Sequence, residues 1–273
     1  VVVKKGSLQA YEIGLRVASA ARRLGVEAVF ERSGVEDMRP RDTGLFELGG
    51  EVPERLVIVG GDGTLLRTLH HIGGEPPLIM TVRAGRRGFF FDVEPYEVEE
   101  RFEDFVKGRF KVFEYERLAA TVGGEALPLA LNEDAVLARE GKIIRITVYR
   151  DDEKIYSLDG DGLIIATTAG STAYALSAGG PIVDPGLQAI VIAPLNPIQL
   201  HLRPVVLPLD AEVRVEIRSG SPVARVLSDG QTGVEAGPGV EVDVRRAYSP
   251  VRIARFRVEG FYERLFTRVF QYW

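Results

Sequence analysis

"LVIVGGDGTLLRTLHHIGG", Leu56 to Gly74, sets an apolar run against a tight glycine turn and continues into a helix-like stretch. A strand that passes through glycines into a helix makes a cradle for phosphate, because backbone N–H groups and the helix N-terminus both attract anions. At the centre of this turn stands Asp62, a carboxylate, where negative phosphate would sit. Two familiar phosphate loops are ruled out. A Walker loop needs a lysine after its glycines, and Leu65 and Leu66 stand there instead; a dinucleotide fingerprint needs a third glycine at the position of Leu66. A plain turn with Asp62 capping the helix fits the residues. So does a carboxylate that holds a metal or takes a proton from an attacking hydroxyl, both parts of phosphoryl-transfer chemistry.

Upstream and downstream of this stretch, strand-like and helix-like periodicities alternate. "VVV" reads as a strand, and Ser7 can cap a helix whose Leu8, Tyr11, Leu15, Ala18 and Leu24 share a face, with Gly25 ending it. "VEAVF", "LVIV" and "LIMTV" read as further strands, and "EPYEVEERFEDFVKG" as a helix ending at Gly108. Such alternation predicts parallel pairing with right-handed crossovers, hence an open α/β sheet. After Gly108 short β-rich runs take over, from "FKVFEYERLAATV" to "VEVDVRRA", broken by turn signals such as Gly123-Gly124 and Asp151-Asp152. They predict a β-sandwich or a related all-β domain. The closing "FRVEGFYERLFTRVFQYW" is aromatic and amphipathic and is expected to bury its rings on the α/β domain. The expected division is therefore 1–108, 109–250 and a docking segment 251–273.

At 273 residues, 45% hydrophobic and 27% charged, the chain has a globular profile with room for two cores. A net charge of −5 argues against an electrostatic nucleic-acid binder, which would show a basic face. The absence of cysteine excludes disulfides, cysteine–zinc sites and thiol catalysis. His70 and His71 are adjacent on a predicted helix and point apart, so with His201 they predict no metal site. No apolar run approaches membrane-spanning length and no signal peptide is expected, so a cytoplasmic protein is the expectation.

Two further segments carry chemistry. In "DGLIIATTAGSTAYALSAGGPI", Asp161 to Ile182, a strand ends in small hydroxyl residues and glycines. Ser171, Thr172 and nearby N–H groups suit phosphate or a base edge, and equally a plain Ser/Thr helix cap. In "LNEDAV", Asn132 and Glu133 interrupt an apolar run; an amide beside a carboxylate can hold both hydroxyls of a ribose, and a strand end or turn fits as well. Asp229-Gly230 reads as an ordinary two-residue hairpin turn.

Taken together, in this order and spacing, these segments resemble the NAD kinase family. Gly60 to Thr64 matches its GGDGT motif, Asn132-Glu133 its Asn-Glu pair, and Asp161-Gly162 with Gly170 to Tyr174 and Gly179-Gly180-Pro181 its long glycine-rich segment. "GRRGFFFDVEP" from Gly85 and Arg203-Pro204 match weaker family features. The resemblance implies transfer of a phosphoryl group to the 2′-hydroxyl of the adenosine ribose of NAD, giving NADP. It implies an N-terminal α/β domain, a β-rich C-terminal domain and a tail returning to the first. Asp62 would be the base or orienting carboxylate at the acceptor hydroxyl. Gly61 and Gly63, followed by Thr64, would let the backbone approach phosphate. Asn132 and Glu133 would hold ribose hydroxyls, Asp161 would lie at the nicotinamide end, and Phe89 would line the adenine side. Ser171, Thr172, Ala173, Tyr174 and Ser177 would contact the nucleotide. Implied partners are NAD, NADP and ATP or inorganic polyphosphate, with Mg²⁺ delivered on the donor and no metal-ligating side-chain cluster; a homodimer or homotetramer is implied as well.

The chain departs from the family pattern in three places. Thr167-Thr168-Ala169-Gly170-Ser171 replaces the usual Thr-Pro-Thr-Gly-Ser, so the missing proline is expected to loosen the turn. Arg83 replaces an asparagine, and "PLNPIQL" (Pro194 to Leu200) lacks a histidine. Two other readings use the same residues. Lipid kinases of the diacylglycerol and sphingosine type share a GGDG turn but would lack the Asn-Glu pair and the Gly-Ser-Thr-Ala-Tyr segment. A non-catalytic NAD(P) sensor could keep the ribose-binding residues but would have no need of Asp62.

Overall fold

The computed structural model describes residues 1–38, 44–50, 53–85, 88–139, 141–257 and 260–270. They form two compact units, Val1–Tyr115 with Val251–Trp273, and Glu116–Pro250.

The first unit is built on a parallel sheet. Strand β1 (Val2–Val3) leads into helix α1 (Leu8–Arg23). Strands β2 (Val29–Glu31) and β3 (Gly44–Phe46) pair in parallel with each other, and β2 also bonds to the residue before β1: the Glu31 N–H donates to the Val1 carbonyl and the Val1 amine to the Val29 carbonyl. Strand β4 (Arg55–Gly60) pairs in parallel with β1 on one side and on the other with β5 (Leu78–Arg83). Ile253 pairs in parallel with Ile79, which adds residues 251–255 beside β5. Leu56, Val57, Ile58 and Val59 are all buried, as expected for a parallel strand covered on both faces. Helix α2 (Asp62–Ile72) follows β4, and helix α3 (Val98–Lys107) ends at Gly108, whose φ of 75° is the left-handed conformation of a glycine stop.

Two sequence expectations change here. Ser7 does cap α1, accepting from the Ala10 N–H, but the buried stripe is Ala10, Ile13, Val17, Ala20 and Ala21. Leu8 and Leu15 are exposed, at 61% and 41%. Tyr11, Ala18 and Leu24 of the predicted face do pack, partly buried, against this core. A Cβ at Gly14 would stand 2.9 Å from the side chains of Val3 and Phe30, so it is on the Gly14 side that the helix approaches most closely. In the tail, α4 (Phe261–Leu265) continues to Phe270 as a wider turn. Leu265 and Arg264 are buried there, whereas Tyr262 and Phe266 are more than half exposed. Among the described residues, Leu265, Arg264 and the partly buried Phe261 hold the segment, while the rings of Tyr262, Phe266 and Phe270 stay exposed.

The second unit holds two antiparallel sheets. One is ordered β7 (Glu125–Ala126), β6 (Lys111–Val122), β17 (Glu241–Arg255), β14 (Val213–Ile217), β9 (Ile144–Arg150), β10 (Glu153–Gly160). The other is ordered β13 (Val205–Pro208), β12 (Ala189–Leu195), β11 (Gly162–Thr167), β8 (Glu133–Ala138), β15 (Ala224–Ser228), β16 (Thr232–Ala236). Val136, Leu163, Ile165 and Ile192 of the second share one core with Ile146, Val148, Val215 and Val242 of the first. This is a sandwich, as the spacing of strand and turn signals predicts. Strand β12 is missed by the sequence analysis; like β4 and β11 it is a continuous apolar run covered on both faces. Its Ile190 and Ile192 enter that core, while Val191 and Ala193 are buried on the opposite face with Ala175 and Val183.

Candidate active site

In the first unit the glycine turn positions Asp62 unlike a cap. Gly61 is the N-cap, in extended conformation and without a side-chain cap bond, and Asp62 is the first helical residue. Its carboxylate accepts from the N–H groups of Phe89 (2.8 Å) and Phe90 (3.1 Å), in the turn that follows β5. The capping alternative is thereby removed. Burial pushes the Asp62 carboxyl above its ordinary range, opposed by those two hydrogen bonds and by the charges of Arg255 and Arg268. Beside it opens a cavity of about 530 Å³ lined by Lys4, Lys5, Gly61, Asp62, Gly63, Thr64 and Arg67 among others. Gly63 is exposed, and a Cβ added there would meet nothing within 4 Å. The cavity thus combines a helix N-terminus and three cations with a single carboxylate, which suits a phosphate chain beside a hydroxyl. Thr64 is buried at the start of α2, with its side chain packed below Gly60. Phe89 is partly exposed and stacks edge-on against Phe90 and Phe261.

In the second unit, β8, β11 and β15 bring a polar cluster together. Glu133 faces Ala166 across β8–β11, and Asp134 faces Ser228 across β8–β15. Asn132 and Glu133 are each 8% exposed, and Asn132 Oδ1, Glu133 Oε2 and Asp134 Oδ2 are buried without a hydrogen-bond partner. Buried polar atoms left unpaired are costly, so these oxygens suit a ligand that brings hydroxyl donors. The Glu133 carboxyl is pushed up to about 8, chiefly by burial and then by the neighbouring Asp229 charge, against a hydrogen bond from the Tyr174 N–H. Asp134, wholly buried, is raised well above the ordinary carboxyl range by that burial, opposed by the Ser228 hydroxyl, which donates to it.

Of the remaining sequence-predicted residues, those after β11 follow Thr167, whose N–H donates to the Asn132 carbonyl, whereas Asp161 lies at the opposite end of β11, where its carbonyl accepts from the Ala138 N–H. Ser171 is buried; its hydroxyl donates to the Thr168 carbonyl and accepts from the Val183 N–H, a structural role. The Thr172 hydroxyl donates to the Ala169 carbonyl. Ala173 leads into the short helix Tyr174–Ser177, where Tyr174 and Ser177 are exposed. Asp161 is exposed between β10 and β11, and the Asn196 amide donates to it at 2.8 Å. Arg86 and Arg87 of the "GRRG" stretch lie outside the described residues. Among the described residues no group of three or more His, Asp or Glu side chains is arranged to hold a metal ion.

Asp229 is the residue that sequence reasoning undervalued. Its carboxylate accepts from the N–H groups of Leu131 (2.9 Å), Asn132 (2.7 Å) and Glu133 (3.2 Å), fixing the backbone that carries the Asn-Glu pair. It does so from a φ of 49°. An Asp-Gly pair at a strand end gives the signal for a turn, and nothing local reveals that its side chain reaches another strand.

Known proteins resemble the chain over its whole length. The ATP-NAD kinase N-terminal domain matches residues 50–110 and the ATP-NAD kinase C-terminal domain residues 131–256. An NAD kinase of Aeropyrum pernix is 45% identical over 274 residues, covering 100% of this chain and 98% of that one. The chain belongs to the NAD kinase family. A second NAD kinase, from Methanosarcina acetivorans, is 37% identical over 87% of this chain and 83% of its own. Among solved structures, an NAD kinase from Archaeoglobus fulgidus in complex with ATP superposes with a TM-score of 0.77 at 30% identity, covering 98% of this chain and 97% of that one. Yeast NADH kinase complexed with NADH shares the fold, with a TM-score of 0.86 at 21% identity over 97% of this chain and 85% of its own.

At three departures from the NAD kinase pattern the residues present make local bonds of their own. Thr168, in place of proline, donates its hydroxyl to the Leu187 carbonyl (2.7 Å) and accepts from the Ala189 N–H (3.1 Å). That side chain ties the turn to the start of β12, so the loosening expected from the missing proline is opposed. Arg83 pairs with Glu94. In the segment without histidine, Asn196 holds Asp161 and Gln199 accepts from the Asp159 N–H.

Proposed function

We propose that this protein phosphorylates the 2′-hydroxyl of the adenosine ribose of NAD to give NADP, with ATP or inorganic polyphosphate as donor. The observation that carries the reading is Asp62, a carboxylate aimed by two backbone N–H groups at the mouth of a cationic cavity where a helix begins. A ribose hydroxyl is a poor nucleophile at neutral pH. Asp62 orients it and takes its proton as the bond from the 2′-oxygen to phosphorus forms and the bond from phosphorus to the donor's bridging oxygen breaks. ADP, or polyphosphate shorter by one unit, leaves. Lys4, Lys5, Arg67 and the N–H groups at the start of α2 bind the donor phosphates. Asn132 and Glu133 hold ribose hydroxyls, and Asp229 keeps their backbone in place. Mg²⁺ delivered with the donor would supply charge neutralisation for the transferring group, with the donor phosphates held by the lysines and Arg67 named above.

The name of the relatives and the complex of one family structure with ATP support this reading and favour ATP as donor. The family resemblance also supports a homodimer or homotetramer in the cytoplasm, which sedimentation and localisation of the tagged chain test. For the activity, purified protein is given Mg²⁺ and NAD or NADH, with ATP and polyphosphate in parallel, and NADP or NADPH is measured. Absence of product with either donor overturns the proposal.

A further inference from the structure

The turn that holds Asp62 is itself held by the C-terminal segment. The peptide that carries the Phe89 N–H also carries the Gly88 carbonyl, and Arg268 Nη1 donates to that carbonyl at 3.0 Å and to the Phe91 carbonyl. A guanidinium N–H, one peptide group and Asp62 Oδ2 therefore form a continuous hydrogen-bonded chain. Each bond in such a chain polarises the next, so a cation at its far end strengthens the N–H that reaches the carboxylate. The same segment covers the turn with other groups. The Phe261 ring meets Phe89 edge-on with centroids 6.1 Å apart, and the Arg264 guanidinium lies 5.9 Å from the Phe89 ring centre. On the other side the Thr81 hydroxyl donates to the Phe90 carbonyl at 2.9 Å. The carbonyls of Gly88, Phe90 and Phe91 are thus all taken, and the N–H groups of Phe89 and Phe90 are left aimed at Asp62.

We infer that Arg268 is a positioning residue for the transfer reaction, acting on Asp62 through the Gly88–Phe89 peptide. This rests on the role proposed above for Asp62. Leu265 and the Phe261 ring supply the apolar contacts of the segment, whereas Arg268 reaches the backbone carbonyls of the turn that carries the Phe89 N–H. The charged groups that face Asp62 are Arg255 from β17 and Arg268 from the tail, with Lys4, Lys5 and Arg67 around the cavity. Removing Arg268 takes away one of these cations and the anchor of the turn together.

The test compares Arg268→Gln, Arg268→Lys, Phe270→Ala and Asp62→Asn in the full chain, each with a kcat–pH profile, a KM for NAD and a melting curve. Arg268→Gln should lower kcat by roughly 10–100-fold, the range for a catalytic group displaced by up to about an ångström. KM for NAD should change little, and the acid limb of the profile should move to higher pH because a cation facing the carboxylate is lost. Arg268→Lys keeps the charge and should restore the limb and part of kcat; it remains readable if the glutamine variant does not fold. Phe270→Ala, on the same segment but exposed, should behave as the parent. The inference is overturned if Arg268→Gln keeps the parent's kcat and acid limb, or if Phe270→Ala loses as much. Parent-like turnover in Asp62→Asn would sink the role of Asp62 and this inference with it. A slow Asp62→Asn beside a parent-like Arg268→Gln would sink this inference alone.

Discussion

Two carboxyls, Asp62 and Glu133, are raised by burial, and their expected behaviour differs. Asp62→Asn keeps the size and removes the basic lone pair, so turnover should fall by roughly 10²–10⁴, the range for losing a general base. Calorimetry should find NAD binding far less affected; turnover within a few-fold of the parent would reduce Asp62 to a fold residue. For Glu133 the sign follows from where its protons reside. Its folded pKa, about 8, lies above the unfolded value of 4.5, so between these the folded state holds more protons and loses stability as pH rises. The cost is absent below pH 4.5, grows through the window and is complete above about 8. Glu133→Gln never ionises, so its melting temperature should gain on the parent's from pH 5 to pH 8 and then run parallel. A difference independent of pH would remove the buried-acid account. Glu133→Ala, which removes the acceptor altogether, should weaken NAD binding by about 1–3 kcal/mol, the cost of losing a hydrogen bond to a buried polar ligand.

At the scale of elements, two glycines in the recognition segments serve opposite purposes. Gly63 lies in the first turn of α2 facing open space, and a Cβ there would touch no protein atom within 4 Å. Gly63→Ala should therefore leave stability unchanged or raise it by up to about 1 kcal/mol, as alanine favours a helix over glycine. Activity should nevertheless fall roughly tenfold or more, because the methyl displaces the donor phosphate. Gly170, after β11, is the converse: a Cβ there would stand 2.0 Å from the Asn132 carbonyl oxygen. Gly170→Ala should cost roughly 1–3 kcal/mol through overpacking and should raise KM for NAD by pushing Asn132 aside. Denaturant melts and steady-state kinetics on the pair separate these outcomes. If Gly63→Ala proves destabilising and active, the glycine serves the turn and not the ligand. The motif letters show both glycines alike, and only the neighbours across the fold tell them apart.

For the molecule as a whole, the metal is expected to belong to the reaction and not to the fold. Excess EDTA should abolish NADP formation and leave the melting temperature unchanged, since the described residues offer no cluster of acids and histidines for a resident ion. Full activity in EDTA, or a large drop in melting temperature, contradicts this. What the sequence settled by itself is whatever local pattern encodes. The β4–turn–α2 unit, the stop at Gly108 and the strands of the sandwich are legible because period and spacing act over a few residues, whereas Asp62, Asn132 and Glu133 stand out only together, by their resemblance to a family motif. Tertiary structure alone decided the rest. It chose which face of α1 is buried, covered β12 on both sides, and gave the hairpin residue Asp229 the further task of clamping the Asn-Glu backbone. It also carried Arg268 to the turn around Asp62, although 206 positions separate the two residues in the chain. The reason is the same each time. A residue type and its neighbours fix which bonds a group can make, whereas the partner it makes them with is set by chain that returns from far away.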